Sequence, residues 1–186
     1  TLRTPDNAHA YDDAEADAHE SIEKSPVPTI AMINGPCRGG GLAIALACDL
    51  RYASDTATFA APPAKLGIAF PHPAVKALAK TIGDAHARYL LLTATTIDAK
   101  EASRIGLLHH VTSSSSLTTT VAELTAQICK LAPQSLTAAK VSLAAVKSHT
   151  SSTEVQNAIK KCYESDDYQE GITAFLEKRS PDFNGT

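Results

Sequence analysis

Residues 28–48, PTIAMINGPCRGGGLAIALAC, decide how the chain folds. Pro28 to Asn34 is a short, β-rich apolar run closed by Asn34, Gly35 and Pro36, the pattern of a buried strand that delivers the chain into a turn. The glycine triplet Gly39, Gly40 and Gly41 follows. Leu42 to Cys48 is then apolar on every face, which a helix tolerates when it is wholly buried. Strand, glycines and helix in succession put free N–H groups at a helix start that backbone or ligand can approach closely, so an anionic oxygen is welcome there. The spacing does not make the G-x-G-x-x-G dinucleotide fingerprint, and no Gly-Lys-Ser/Thr follows to make a phosphate loop. The plainer use of the same glycines is tight packing of the helix on the sheet.

Upstream, Tyr11, Ala14, Ala18 and Ile22 recur at spacings of three and four, which predicts a helix over about 8–24 with an acidic outer face, ended by Pro26 and Pro28. Downstream, LRYAS (50–54) and TFA (58–60) read as two short strands around a polar turn at Asp55, and Pro62, Pro63, Pro71 and Pro73 mark a loop-rich stretch. The helical patterns that follow are punctuated. One ends at Gly83, Asp84 can cap the next, and Asp98 can cap a third that Gly106 stops. LLHHV (107–111) predicts a strand. Helices are then expected up to Leu131, from Pro133 to Lys147, from Thr153 to Ser165 and from about Asp167 to Lys178. The expected fold class is α/β, with a strand-bearing core over residues 1–112 and a helical C-terminal region over 113–186.

The 186 residues are 44% hydrophobic and 20% charged with a formal net charge of -3, the composition of an ordinary soluble domain. A chain this long buries roughly 70% of its unfolded surface, so its core needs neither disulfide nor metal. Seven acids fall in residues 1–25 against Arg3 and Lys24, and no basic stripe is available for nucleic acid. No apolar run approaches the ~18 residues of a membrane span, and the opening residues are too acidic and polar for a secretory signal, so a cytoplasmic protein is expected. Cys37, Cys48, Cys129 and Cys162 lie far apart without a C-x-x-C pair and read as buried free thiols.

Four segments, residues 28–54, 57–71, 90–111 and 166–183, resemble in order the crotonase superfamily, the enoyl-CoA hydratase/isomerase family. They are PTIAMINGPCRGGGLAIALACDLRYAS, ATFAAPPAKLGIAFP, LLLTATTIDAKEASRIGLLHHV and DDYQEGITAFLEKRSPDF. The resemblance implies a crotonase-like ββα superhelix and acyl-CoA thioester substrates, with no cofactor beyond the coenzyme A that the substrate carries. It also implies a homotrimer or hexamer in which the helical C-terminal region completes a neighbour's site. Gly40 matches the glycine whose N–H meets the thioester oxygen, with Gly39 and Gly41 beside it. The family's second donor lies in a loop that would precede Leu2, so the chain is expected to be incomplete at its N-terminal side.

Counted from Asp49 and Phe59, the two glutamates of the family's hydratases fall at Ala43 and Pro63, and neither side chain can move a proton. His72, in the loop after Pro63, is the candidate acid/base, since imidazole titrates nearest neutrality; a loop histidine held between two prolines is the plainer reading. Lys65 and Arg38 can serve as cations near a thioester or simply as solvated charges. Adjacent His109 and His110 face opposite sides of a strand and cannot share a metal, and no metal site is expected. Asp49 and Arg51 read as a structural pair. Phe175 and Lys178 match the family's residues near CoA, Lys178 suited to a phosphate and Phe175 to the pantetheine or acyl wall, with helix amphipathicity as the alternative. Two functions follow: an enzyme that needs mainly enolate stabilisation, whether lyase, isomerase, decarboxylase or hydrolase, and a non-catalytic acyl-CoA binding or carrier protein.

Overall fold

Two three-stranded sheets grow side by side as the chain advances, because each pass contributes one strand to each. The computed structural model describes residues 8–148 and 153–186, together with residue 6. β1 (Ile30–Ile33) runs parallel to β3 (Leu50–Ser54), and β3 runs parallel to β6 (His110–Thr112). In the second sheet β2 (Pro36–Arg38) runs parallel to β4 (Thr58–Ala60), and β5 (Ile97–Asp98) closes the other edge antiparallel to β4. The register pairs Ile30 with Leu50 in one sheet and Pro36 with Thr58 in the other. Between β2 and β3 lies α2 (Gly40–Ala47), so the path strand, strand, helix is the ββα superhelix.

β2 is a strand that residue patterning hides, since Gly35 and Pro36 punctuate its start. Proline is tolerated as the first residue of a strand because its missing N–H costs no interior ladder bond there. β5 is only two residues long and shares its last residue, Asp98, with a helix cap. β1 is less buried than a central strand: Met32 is half-exposed.

Phe59, Leu42, Leu78, Leu90 and Leu107 are fully buried at the centre of this unit, with alanines filling the gaps between them. α3 (His72–Thr93) is interrupted at Gly83, whose φ of 77° and ψ of 157° break the helix where the sequence places a stop. α4 (Ala99–Arg104) begins as expected on Asp98, whose carboxylate accepts the Glu101 N–H at 2.8 Å. Gly106 then takes a left-handed φ of 81° past its end.

Packing divides the described chain into two compact units, one made of α1 (Ala8–Glu23) with residues 29–121 and the other of residues 26–28 with 122–186. α5 (Leu117–Ile128) begins in the first. The second holds α6 (Pro133–Ser148), α7 (Thr153–Tyr163) and α8 (Asp166–Glu177). Ser165 caps α8 by accepting the Tyr168 N–H. The buried Asp167 carboxylate accepts the N–H groups of Asn184 at 2.8 Å and Gly185 at 3.0 Å, which ties the last residues to that helix start. Among the described residues no helix is long and apolar enough to cross a membrane, and no group of three or more His, Cys, Asp or Glu is placed to hold a metal ion.

Candidate functional site

β2 hands the chain to α2 through Gly39, which caps the helix at φ 53° and ψ -122°, a backbone conformation that a side chain would strain. Its N–H extends the sheet by donating to the Ala60 carbonyl at 3.2 Å, and its carbonyl accepts the first helical N–H, from Ala43 at 3.0 Å. The N–H groups of Gly40, Gly41 and Leu42 therefore have no carbonyl one turn earlier within the helix, and Gly39 has no side chain to cap them. Space over the glycines is open, because a Cβ placed on Gly39 or Gly41 meets nothing within 4 Å. At Gly40 it would lie 3.2 Å from Oε1 of Glu15. This helix start carries the positive end of the α2 dipole and suits an anionic oxygen.

α2 is not wholly buried, contrary to the expectation from its apolar sequence. Leu42, Ala43, Ala45, Leu46 and Ala47 face the core, but Gly40, Gly41 and Ile44 are exposed, which gives the helix a bare face along the glycine side. Ala43 is 2% exposed, one turn after Gly39. Pro63 is buried at the start of a short 3₁₀ turn, Pro63–Leu66.

α1 packs against α2, and here the sequence reading needs a correction. Tyr11, Ala14 and Ala18 are exposed and Ile22 only half-buried, so the apolar stripe does not form the inner face. Glu15 and His19 do. His19 is 7% exposed, its Nε2 lies 4.0 Å from Glu15 Oε1, and it is the single buried side-chain nitrogen or oxygen without a hydrogen-bond partner among the described residues. Leaving such a group unpaired costs about 1–3 kcal/mol. Composition conceals both residues because they sit in a run of acids, and it is the packing of α1 on α2 that brings them to the glycines.

The other candidates are scattered. His72 is exposed in the first turn of α3, and none of its atoms lies within 4 Å of a Cβ built on the three glycines. Lys65 is exposed, and Arg38 donates to Thr58 Oγ1 at 3.4 Å. The thiol of Cys37, two residues before Gly39, is pushed up to about 11 by burial, which leaves it a poor nucleophile at neutral pH. All four cysteines are free, but of the four Cys37 alone is buried; Cys48 and Cys162 are half-buried and Cys129 is exposed. Phe175 and Lys178 belong to the end of α8 in the C-terminal unit. Phe175 is 83% exposed, and Lys178 caps the helix in a left-handed conformation with φ 56°.

Arg51, Asp49 and His109 are structural. The buried Arg51 guanidinium donates to the carbonyls of Leu107 at 2.8 Å and Cys48 at 2.9 Å, while Asp49 Oδ2 accepts from the Thr29 N–H at 2.7 Å and hydroxyl at 2.9 Å. His109 Nδ1 accepts the Arg51 N–H at 3.1 Å, and burial followed by the Arg51 charge lowers the imidazole pKa.

Comparison with known proteins gives one answer. The sequence pattern of the enoyl-CoA hydratase/isomerase family matches residues 2–186. An enoyl-CoA isomerase/hydratase of Mycosarcoma maydis is 37% identical over 174 residues, 89% of this chain and 62% of the relative. A methylmalonyl-CoA decarboxylase of Escherichia coli K12 is 32% identical over 181 residues, 95% of this chain and 69% of the relative. The crystal structure of an enoyl-CoA hydratase/isomerase family protein from Hyphomonas neptunium superposes with a TM-score of 0.93 at 30% identity, covering 98% of this chain and 71% of that one. The chain thus spans about three fifths of the Mycosarcoma relative.

Proposed function

The chain belongs to the enoyl-CoA hydratase/isomerase family, and from that premise we propose that it handles acyl-CoA thioesters by holding the thioester oxygen at the start of α2 and stabilising the enolate that develops there. The observation that carries this reading is the uncapped first turn at Gly40, with open space over Gly39 and Gly41 on either side of it. A fixed N–H donor needs no reorganisation as charge develops, and loss of one such donor raises a barrier by roughly 3–4 kcal/mol. Gly39 and Gly41 line the approach. Ala43 and Pro63 take the two glutamate positions, both buried and neither able to carry a proton.

Two-carboxylate hydration is therefore not the favoured chemistry. Reactions that rely mainly on the enolate fit better, and decarboxylation of a malonyl-type thioester, the class to which the decarboxylase relative belongs by name, is one of them. His72, exposed in the first turn of α3, is the candidate acid/base. Phe175 and Lys178 would meet the pantetheine and a phosphate of CoA, and an exposed phenylalanine beside a lysine suits that use. The coenzyme A of the substrate is the one carrier group the reading calls for. Buried apolar side chains at both glutamate positions also favour a second reading, a non-catalytic acyl-CoA carrier of the same fold.

Calorimetric titration with a non-hydrolysable acyl-CoA, alongside loss of enoyl-thioester absorbance, tests this. Binding is expected, with hydration at least ~10²-fold slower than a glutamate-bearing relative gives. Absence of binding would overturn the reading; binding without turnover of any acyl-CoA would select the carrier.

A further inference from the structure

We infer that Glu15 and His19 form a proton-transfer pair for the site at Gly40, with Glu15 exchanging a proton with the carbon next to the thioester and His19 relaying it onward. This rests on the acyl-CoA reading above and moves the proton transfer from His72, none of whose atoms lies within 4 Å of the Gly40 Cβ position, to Glu15, whose Oε1 does. Three observations converge. Outside the local α2 backbone, Glu15 Oε1 is the nearest atom to the Gly40 Cβ position, so it lies beside the donor proposed for the thioester oxygen. The His19 imidazole is more than nine-tenths buried, its Nε2 unpartnered and 4.0 Å from that carboxylate. The inner face of α1 carries these two polar groups where an amphipathic helix would place apolar ones, and α2 opposite, GGLAIALA, has no titratable side chain of its own.

The chemistry balances without a co-reactant. Glu15 Oε1 takes a proton from the α-carbon; the C–H electron pair becomes the new carbon–carbon π bond, and the carbonyl π pair moves to the oxygen held by the Gly40 N–H. Return of the proton to the α-carbon restores the substrate. Its return to the γ-carbon of a conjugated enolate shifts a double bond. From Glu15 the proton can pass to His19 Nε2 when the carboxylate rotates across the short gap. In the Nδ1–H tautomer the unpartnered Nε2 is then open to that proton.

The test uses but-3-enoyl-CoA in D2O, reading deuterium at the α-carbon by mass spectrometry and binding by calorimetry. The unmodified protein is expected to incorporate deuterium, Glu15→Gln to slow incorporation at least 100-fold, and His19→Gln at least 10-fold, with dissociation constants within a factor of three. Exchange in Glu15→Gln at the unmodified rate, or bound ligand with no exchange in the unmodified protein, would overturn the pair while leaving the acyl-CoA reading intact. Failure to bind at all would overturn that reading. The pair is then decided in the free protein by the ¹⁵N spectrum of His19, which must change in Glu15→Gln; an unchanged spectrum would overturn it.

Discussion

Gly39 and Gly40 are neighbours with different reasons to lack a side chain. At Gly39 the reason is conformational: φ 53° with ψ -122° is a region that an L-residue enters only at a cost of about 1–3 kcal/mol. At Gly40 φ is ordinary and the constraint is space, since a methyl would meet only the far end of the flexible Glu15 side chain. Denaturant unfolding should therefore separate them. Gly39→Ala is expected to lower stability by about 1–3 kcal/mol, and Gly40→Ala by less than about 0.5 kcal/mol, the ordinary range for exposed positions. Equal losses would mean that the two glycines serve one structural purpose. The triplet itself is plain in the sequence. Glu15 and His19 are not, because their importance comes from facing α2, and facing is decided by packing rather than by residue type.

At the scale of elements, what can be read from sequence is whatever local chemistry dictates. Asp98 caps α4 because its carboxylate is the right length for the Glu101 N–H, and Gly83 breaks α3 because it alone in that stretch accepts a positive φ. β2 and β5 escape notice since three and two residues show no periodicity; their pairing with β4 makes them strands. The inner face of α1 is misjudged for a related reason: small alanines give a weak stripe, and packing turns Glu15 and His19 inward instead. The C-terminal helices leave large apolar side chains exposed, with Leu143 and Val146 on α6, Tyr163 on α7 and Phe175 and Leu176 on α8. Scattered exposed apolar residues are normal, but this density in helices that the family resemblance assigns to subunit contacts is consistent with a second copy covering them. Sedimentation at micromolar concentration is expected to give a trimer or hexamer; a stable monomer would contradict this.

For the molecule as a whole, the repeat of strand, strand and helix explains why the site is where it is. Each of the first two passes adds a strand to both sheets and then leads into a helix, so the start of α2 is fixed at the end of a short strand and held by the Gly39 to Ala60 bond. The core beneath supplies rigidity: Phe59 and Leu42 are fully buried under this corner. Rigidity matters because a donor that must reorganise gives up much of its advantage at the transition state. The central claim is that the thioester oxygen accepts a hydrogen bond from this helix start, and the bond it weakens can be observed directly. Isotope-edited infrared spectroscopy of an acyl-CoA carrying ¹³C at the thioester carbonyl reads that bond in the bound state. A carbonyl stretch displaced to lower frequency on binding, relative to the free ligand in water, is the predicted result. A bound ligand whose carbonyl stretch is unmoved would contradict the claim, whatever its affinity.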